Sequence, residues 1–228
     1  PPPHECSSAA SDVYKRQARR VVGKALMTNT AIILLAAGFS HRMGSVNKLL
    51  LPFDGVALLR RTAEMLASLP YVSVNVVLGH DSQKTVEALS GLNVVHTINP
   101  DYAKGLSSSV FHGLSSAGLA KSYMITPADM PRLMSADCLA LIKAHRSASD
   151  GAVTVPMRPG LNGPQRGNPI ILSRAAREQV IAGDINLGCR ELLQRRPELI
   201  HEYSTNSSGF FIDIDTPQDY SDETGKRF

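Results

Sequence analysis

One apolar run constrains this chain more than any other feature. Ala31-Ile32-Ile33-Leu34-Leu35-Ala36-Ala37 stops at Gly38 and gives way to Phe39-Ser40-His41-Arg42-Met43-Gly44, closed by Asn47-Lys48. A short continuous apolar run bounded by a flexible loop reads as a buried strand of a parallel sheet. A glycine at its end lets the backbone turn sharply and approach a ligand. Main-chain N–H groups there, with the fixed cations Arg42 and Lys48, make a cradle for polyphosphate. An ordinary strand-to-loop turn with surface cations fits the same residues. The stretch is not a Walker loop, because no Gly-Lys-Ser/Thr follows at the required offset, and the dinucleotide fingerprint Gly-x-Gly-x-x-Gly is absent.

Strand and helix signals alternate along the rest of the chain. Apolar positions at helical spacing predict a helix over 56–69, stopped by Pro70, and others over 82–89, 107–117, 135–148, 174–182 and 188–196. Ser82 and Ser135 are the expected caps of their helices. Strands are predicted over 72–78, 92–98, 122–126, 152–156, 169–172, 200–203 and 210–214. A short apolar segment over 49–53 is turned by Asp54-Gly55, and Thr216 caps a last helix with Pro217 at its first position. The rhythm breaks over 157–169, a loop dense in Pro and Gly. Loops of that length in a compact domain usually serve function. The pattern predicts a single three-layer, doubly wound α/β domain with a mostly parallel sheet.

The chain's 228 residues suffice for one such domain and not comfortably for two. Residues 27–228 are assigned to it. Residues 1–26 lack hydrophobic periodicity and open on Pro1-Pro2-Pro3, so they read as a disordered, non-native leader with Met27 as the expected start. A transit peptide is the alternative, on the basic stretch from Lys15 to Lys24, although Glu5, Asp12 and the prolines fit it badly. The net charge of +4 belongs mostly to this leader, whose five cations and two carboxylates leave the body near +1. With no global basic footprint and few aromatics, nucleic acid is not expected as a partner. No apolar run reaches the length of a membrane span, so a soluble protein without a membrane partner is expected. Cys138 and Cys189 have no metal-ligand spacing and suggest no disulfide framework, which fits the cytoplasm. Cys138 reads as a small core residue of a helix.

In such a sheet, ligands bind beyond the carboxyl ends of the strands. Three features fall there: the loop 38–48, Asp129 after the strand at 122–126, and Asp213 with Asp215 after the last strand. Carboxylates from separate strands beside a phosphate cradle suit Mg²⁺, which takes hard oxygen ligands together with substrate phosphates. Each aspartate taken singly also fits as a turn or cap residue.

Leu35-Ala36-Ala37-Gly38-x-Ser40-x-Arg42-Met43-Gly44-x-x-Asn47-Lys48-Leu49-Leu50 resembles the opening motif of the MobA/MocA-like nucleotidyltransferases. The likeness continues in family order through Gly105-Leu106-Ser107-Ser108-Ser109, Pro127-Ala128-Asp129-Met130-Pro131, Arg166-Gly167-Asn168-Pro169 and Asp213-Ile214-Asp215-Thr216-Pro217. It covers residues 30–220 and is most similar to the molybdenum cofactor cytidylyltransferase branch. The resemblance implies a glycosyltransferase-A-like, Rossmann-related domain. It also implies Mg²⁺-dependent transfer of CMP from CTP to the terminal phosphate of molybdopterin, releasing pyrophosphate.

Residue roles follow from the same likeness. Leu35, Ala36, Ala37 and Gly38 would hold the nucleotide with Arg42 and Lys48, while Gly105 and Ser107 would lie by the base and ribose. Asp129 and Asp215, with Asp213 as a further candidate, would hold Mg²⁺. Arg42, Lys48 and Asp129 would carry catalysis, and Arg166, Gly167 and Asn168 would face the pterin acceptor. Ala37 resembles the cytidine-using members, where guanosine-using ones carry Gly. The implied partners are CTP, a molybdopterin-type acceptor, and a recipient molybdoenzyme or its accessory chaperone. One departure stands out: Ile185-Asn186-Leu187 separate Gly183-Asp184 from Gly188-Cys189-Arg190, where relatives run Gly-Asp-x-Gly-x-Arg. That puts an acceptor role for Asp184 or Arg190 in doubt.

Other readings of the resemblance are a cytidylyltransferase for another phosphorylated acceptor, a reductase of a heterocyclic pigment, and a non-catalytic protein that hands the cofactor on. Among the remaining polar residues, His41 reads as solvent-facing in preference to a phosphate contact, His80 and Asp81 as helix entry in preference to cleft lining, and His112 as packing or surface. His145 reads as a helix-terminal imidazole whose protonated form the dipole favours. Ser107, Ser108 and Ser109 have no Gly-x-Ser-x-Gly elbow or His/Asp pattern, so helix capping with ribose contact is preferred to a hydrolase nucleophile.

Overall fold

The apolar run forms strand β1 (Thr30–Ala36), and its side chains alternate between two separate buried layers. Ile32, Leu34 and Ala36 enter one layer; Ala31 and Ile33 enter the other. A strand apolar on both faces requires helices on both sides of its sheet. The computed structural model describes residues 29–161, 163–183 and 196–226, and it has this arrangement.

In chain order, β1 is followed by the hairpin β2 (Pro52–Phe53) and β3 (Val56–Ala57), α1 (Leu58–Ala67), β4 (Val72–Leu78), α2 (Ser82–Ala88) and β5 (Val95–Ile98). Then come α3 (Leu106–Ser116), β6 (Ser122–Pro127), α4 (Ser135–His145), β7 (Val153–Arg158), β8 (Gln165–Arg166) and β9 (Ile170–Ser173). The described chain closes with α5 (Arg174–Ala182), β10 (Ile200–Ser204) and α6 (Pro217–Thr224).

The main sheet has the order β10-β7-β9-β6-β1-β4-β5, with β8 folded back on β7. β1 pairs in parallel with β4 and β6, setting Leu34 opposite both Val76 and Thr126, and β5 extends this half in parallel. β9 runs antiparallel between β6 and β7, while β10 is parallel to β7. The mostly parallel, doubly wound architecture expected from the alternation is present. α1 and α4 cover one face through Leu59, Ala63, Leu66, Cys138 and Leu141. α3 and α5 cover the other through Val110, Leu114, Ala176 and Val180. Burying each Leu or Val of this set contributes about 1.5–3 kcal/mol relative to exposure, so the two-faced β1 anchors the domain.

A third, smaller cluster joins Met43, Phe53, Leu58, Ile214 and Tyr220. It fastens the loop after β1 to the hairpin and to α6, and the Tyr220 hydroxyl donates to the Pro52 carbonyl at 2.7 Å. α6 begins as expected, with Pro217 first and the Thr216 hydroxyl accepting the Asp219 N–H.

Four local expectations change. Residues 210–214 are not a strand: a 3₁₀ turn at Ser208–Phe210 leads into irregular backbone. Their apolar residues are buried in different places, Phe210 in the large layer with β1 and Ile214 in the small cluster, so apolarity there does not mark a ladder. Ser82 and Ser135 are the first residues of their helices, preceded by Asp81 in a left-handed conformation and by Met134. Asp137 reaches back to the Met134 N–H at 3.0 Å. The 157–169 loop contains β8, which pairs antiparallel with β7. The leader 1–26, most of the helix expected over 188–196, and Asp184, Cys189 and Arg190 lie outside the described residues. Among the described residues, no helix is long and apolar enough to cross a membrane.

Candidate active site

The parallel half of the sheet delivers three segments to one place beyond the ends of β1, β5 and β6. Together with Asp215 they line a cavity of about 480 Å³. The loop after β1 is held by its own polar groups, because Asn47 Oδ1 accepts the Leu49 N–H at 3.1 Å and Ser40 Oγ accepts the Lys48 N–H at 3.3 Å. Met43 turns into the small apolar cluster, and its neighbour Arg42 faces out. A Cβ added at Gly38 would meet no atom within 4 Å, so the space beside that backbone belongs to the cavity.

One end of the cavity is charged. Lys48 Nζ donates to Asp129 Oδ2 at 2.5 Å and to Asp215 Oδ1 at 2.8 Å, while Arg42 Nη2 meets Asp215 Oδ2 at 2.6 Å. Burial acts to lower the Lys48 pKa, but the charge and hydrogen bonds of Asp129 and Asp215 outweigh it and the net shift is upward. Arg42 is 66% exposed, so its ion pair contributes little stability and leaves the guanidinium available to a ligand. Asp213 stands behind them. Burial, then the charges of Asp129 and Asp215, push its carboxyl above the usual range, with Lys48 offsetting part of the rise.

The donor set suits a hard divalent cation that is completed by substrate. Asp129 Oδ1 is buried and has no hydrogen-bond partner among the described residues. No three acidic, imidazole or thiol groups among those residues converge to chelate a metal by themselves. Mg²⁺ is ordinarily held by one or two carboxylates with the remaining positions filled by phosphate and water, which this arrangement matches.

Leu35, Ala37, Gly38, Arg42, Lys48, Gly105, Asp129 and Asp215, all expected at the site, line this cavity. Ala36 does not, because its side chain enters the opposite layer of β1. Ser107 is not among the lining residues, whereas Leu106 and Ser109 are, sharing a helix face at 3.6 residues per turn. Ser109 is fixed there by Asn99 Nδ2, which donates to it at 3.1 Å. Arg166, Gly167, Asn168 and Asp213 are not among the lining residues. The Gly167 N–H donates to the Pro156 carbonyl and the Asn168 N–H to the Phe210 carbonyl, both at 2.8 Å.

The sequence reading missed a ring cluster on the cavity wall. Phe39 lies 4.8 Å from His41, 5.1 Å from His80 and 4.9 Å from Tyr102, centroid to centroid. The four rings come from the loops after β1, β4 and β5 and tie those loops together. Phe39, an aromatic residue directly after the glycine that ends the β1 run, was the available signal. The cavity is therefore two-sided, with Phe39, Tyr102 and Leu106 among its apolar lining and a cation–carboxylate network at the other end.

Comparisons with known proteins place the chain in a family. The chain is 28% identical over 191 residues to nicotine blue oxidoreductase from Paenarthrobacter nicotinovorans, covering 81% of this chain and 91% of that one. It is also 28% identical over 192 residues to molybdenum cofactor cytidylyltransferase from Escherichia coli K12, covering 82% and 92%. The structure of Rv0371C from Mycobacterium tuberculosis H37Rv, solved in complex with manganese, superposes with a TM-score of 0.67 at 20% identity, covering 87% of this chain and 100% of that one. The MobA-like NTP transferase domain matches residues 32–200, and the chain belongs to that family of nucleotidyltransferases.

Proposed function

We propose that the protein transfers CMP from CTP to the terminal phosphate of a molybdopterin-type acceptor, with Mg²⁺ and release of pyrophosphate. The observation that carries this reading is the two-sided cavity: an apolar, ring-lined wall for a base, and Lys48 and Arg42 beside Asp129 and Asp215 for a polyphosphate. The cytidylyltransferase relative supports the acceptor, and Ala37 at the cavity wall supports cytidine.

The chemistry asks for positioning and charge. An acceptor oxygen attacks the α-phosphorus in line, an O–P bond forms, and the bond to the β-phosphate breaks with its electron pair leaving on pyrophosphate. A phosphomonoester has its second pKa near ~6, so the nucleophile is already ionised at neutral pH and no general base is required. Lys48 and Arg42 turn from the carboxylates to the triphosphate and stabilise the charge that collects on the leaving group. Asp129 and Asp215, with Asp213 close by, would hold Mg²⁺, which supplies further neutralisation of the phosphate charge. Manganese in the mycobacterial neighbour is consistent with a divalent ion in this fold. The acceptor is assigned to the side of Arg166 and the Asn168 side chain.

Thermal shifts with the four NTPs and Mg²⁺ test the donor, because preferential ligand binding stabilises the folded state. CTP is expected to give the largest shift; a larger one with GTP overturns the Ala37 argument. Pyrophosphate release is expected only when CTP and molybdopterin are both supplied. Two-electron reduction of a heterocyclic pigment by NAD(P)H, with no NTP present, would instead support an oxidoreductase activity like the one named for the Paenarthrobacter relative. Asp129→Ala is expected to lower turnover by about 10²–10³, as for loss of a main electrostatic group, and near-full Mg²⁺-dependent turnover would refute its role.

A further inference from the structure

We infer that Gly167 is a positioning residue for the carboxylate end of the cavity, acting from behind through the backbone of residues 210–215. The family likeness points Gly167 toward the acceptor, yet its surroundings are entirely internal. A Cβ at this position would stand 2.5 Å from the Phe210 carbonyl oxygen, 2.9 Å from Phe211 Cε1 and 3.0 Å from Phe210 Cβ. Backbone cannot yield as the end of a flexible side chain can, so only glycine allows this approach. The neighbouring Asn168 N–H donates to the same Phe210 carbonyl at 2.8 Å, and the Gly167 N–H is used by Pro156. Phe210 itself is 1% exposed and has nowhere to retreat.

From Phe210 the chain runs directly to Asp213 and Asp215. It is tied again where the Ile214 N–H donates to the Asp129 carbonyl at 2.9 Å. Gly167 thus sets one end of a short segment whose other end carries Asp215 against Lys48 and Arg42. Pushing Phe210 outward moves the segment that presents these carboxylates, and displacements near 1 Å in such groups can cost about 10²-fold. Groups that orient metal ligands typically contribute about 10–100-fold in metal affinity. The inference rests on the proposed role of Asp129, Asp213 and Asp215 in cation binding.

Mn²⁺ binding, measured calorimetrically without acceptor, separates the alternatives. Gly167→Ala is expected to weaken Mn²⁺ binding about tenfold or more and to lower kcat, whether or not the KM for the acceptor also changes. Mn²⁺ binding within twofold of wild type overturns the inference, as does a rise confined to the acceptor KM, which would mean direct acceptor contact. Should Gly167→Ala not fold, Phe211→Ala serves: it removes the ring packed on Gly167 and is expected to weaken Mn²⁺ binding about threefold, whereas unchanged binding overturns the inference. Asp215→Asn is the control. If it binds Mn²⁺ as wild type does, the cation-site reading falls and this inference with it; if only the Gly167 and Phe211 variants bind normally, this inference falls alone.

Discussion

Lys48 Nζ stands between two carboxylates, 2.5 Å from Asp129 Oδ2 and 2.8 Å from Asp215 Oδ1. These groups are 81 and 167 residues away in sequence, and a single ammonium joins the end of β6 to the entry of α6. Its side chain is only 13% exposed, so the pairing is partly desolvated.

Removing that ammonium leaves two carboxylates facing one space. Breaking a buried pair by deleting one partner is strongly destabilising, and partial exposure here reduces the cost to about 1–3 kcal/mol. Lys48→Met is expected to melt several degrees below wild type in EDTA. Added Mg²⁺ or Mn²⁺ should recover most of that loss, because a divalent ion can replace the missing charge. A variant whose melting temperature in EDTA equals that of wild type would show that the pair carries no such strain.

Gly38→Ala should separate folding from function. The added methyl meets no protein atom within 4 Å and Gly38 has no left-handed φ, so the melting temperature is expected to stay within about 1–2 °C of wild type. The methyl occupies cavity space beside the proposed nucleotide, and KM for CTP is expected to rise by about tenfold or more. Unchanged steady-state kinetics would mean that the ligand does not approach this backbone.

Acid should unfold the protein partly through His145. Its Nδ1 lies 2.6 Å from Thr154 Oγ1, which is 3.2 Å from His201 Nδ1, so two imidazoles share one buried hydroxyl. Burial, then the neighbouring His201, pushes the His145 pKa down to about 4 from 6.5. A group depressed in the folded state contributes stability above its ordinary value, and that contribution is lost as pH falls from 6.5 toward 4. Urea midpoints should therefore drop over that window, and less so in His145→Phe. Parallel pH profiles for the two proteins would exclude this linkage.

Asp219 links helix stability to the site. Its Oδ2 accepts the Thr216 N–H at 2.7 Å and the Asp215 N–H at 3.0 Å. Asp219→Ala should cost about 1 kcal/mol, or roughly 2–4 °C, and also free the backbone that aims Asp215. Turnover is expected to fall more than the stability loss explains, even well below the melting temperature. Wild-type turnover under those conditions would limit Asp219 to capping.

Much of the scaffold was legible because the controlling interactions are local. β4 and α5 match their predicted bounds, and the Asp54-Gly55 turn and the Pro217 start of α6 stand where their residue chemistry points. The predicted bounds of β1 were shifted by one residue, and the cations Arg42 and Lys48 of its loop line the cavity. His145 shows the limit: a dipole argument favours its protonated form, while the structure surrounds it with burial and a second imidazole. Residues 210–214 show another, because apolar residues carry no label saying which of two cores receives them.

Residue order and type were enough to specify an alternating α/β chain, a strand apolar on both faces, and a cationic glycine loop at its end. Those properties depend on backbone preferences and on periodicity within a few residues. Other features depended on how the sheet is ordered: Lys48 between Asp129 and Asp215, Ser109 at the wall, the Phe39 ring cluster, and Gly167 against Phe210. Each joins segments whose separation along the chain is bridged only after β1 pairs with β4 and β6 and helices seal both faces. Burial and the neighbouring charges then jointly shift the titration of what has been brought together, and no local pattern encodes that environment.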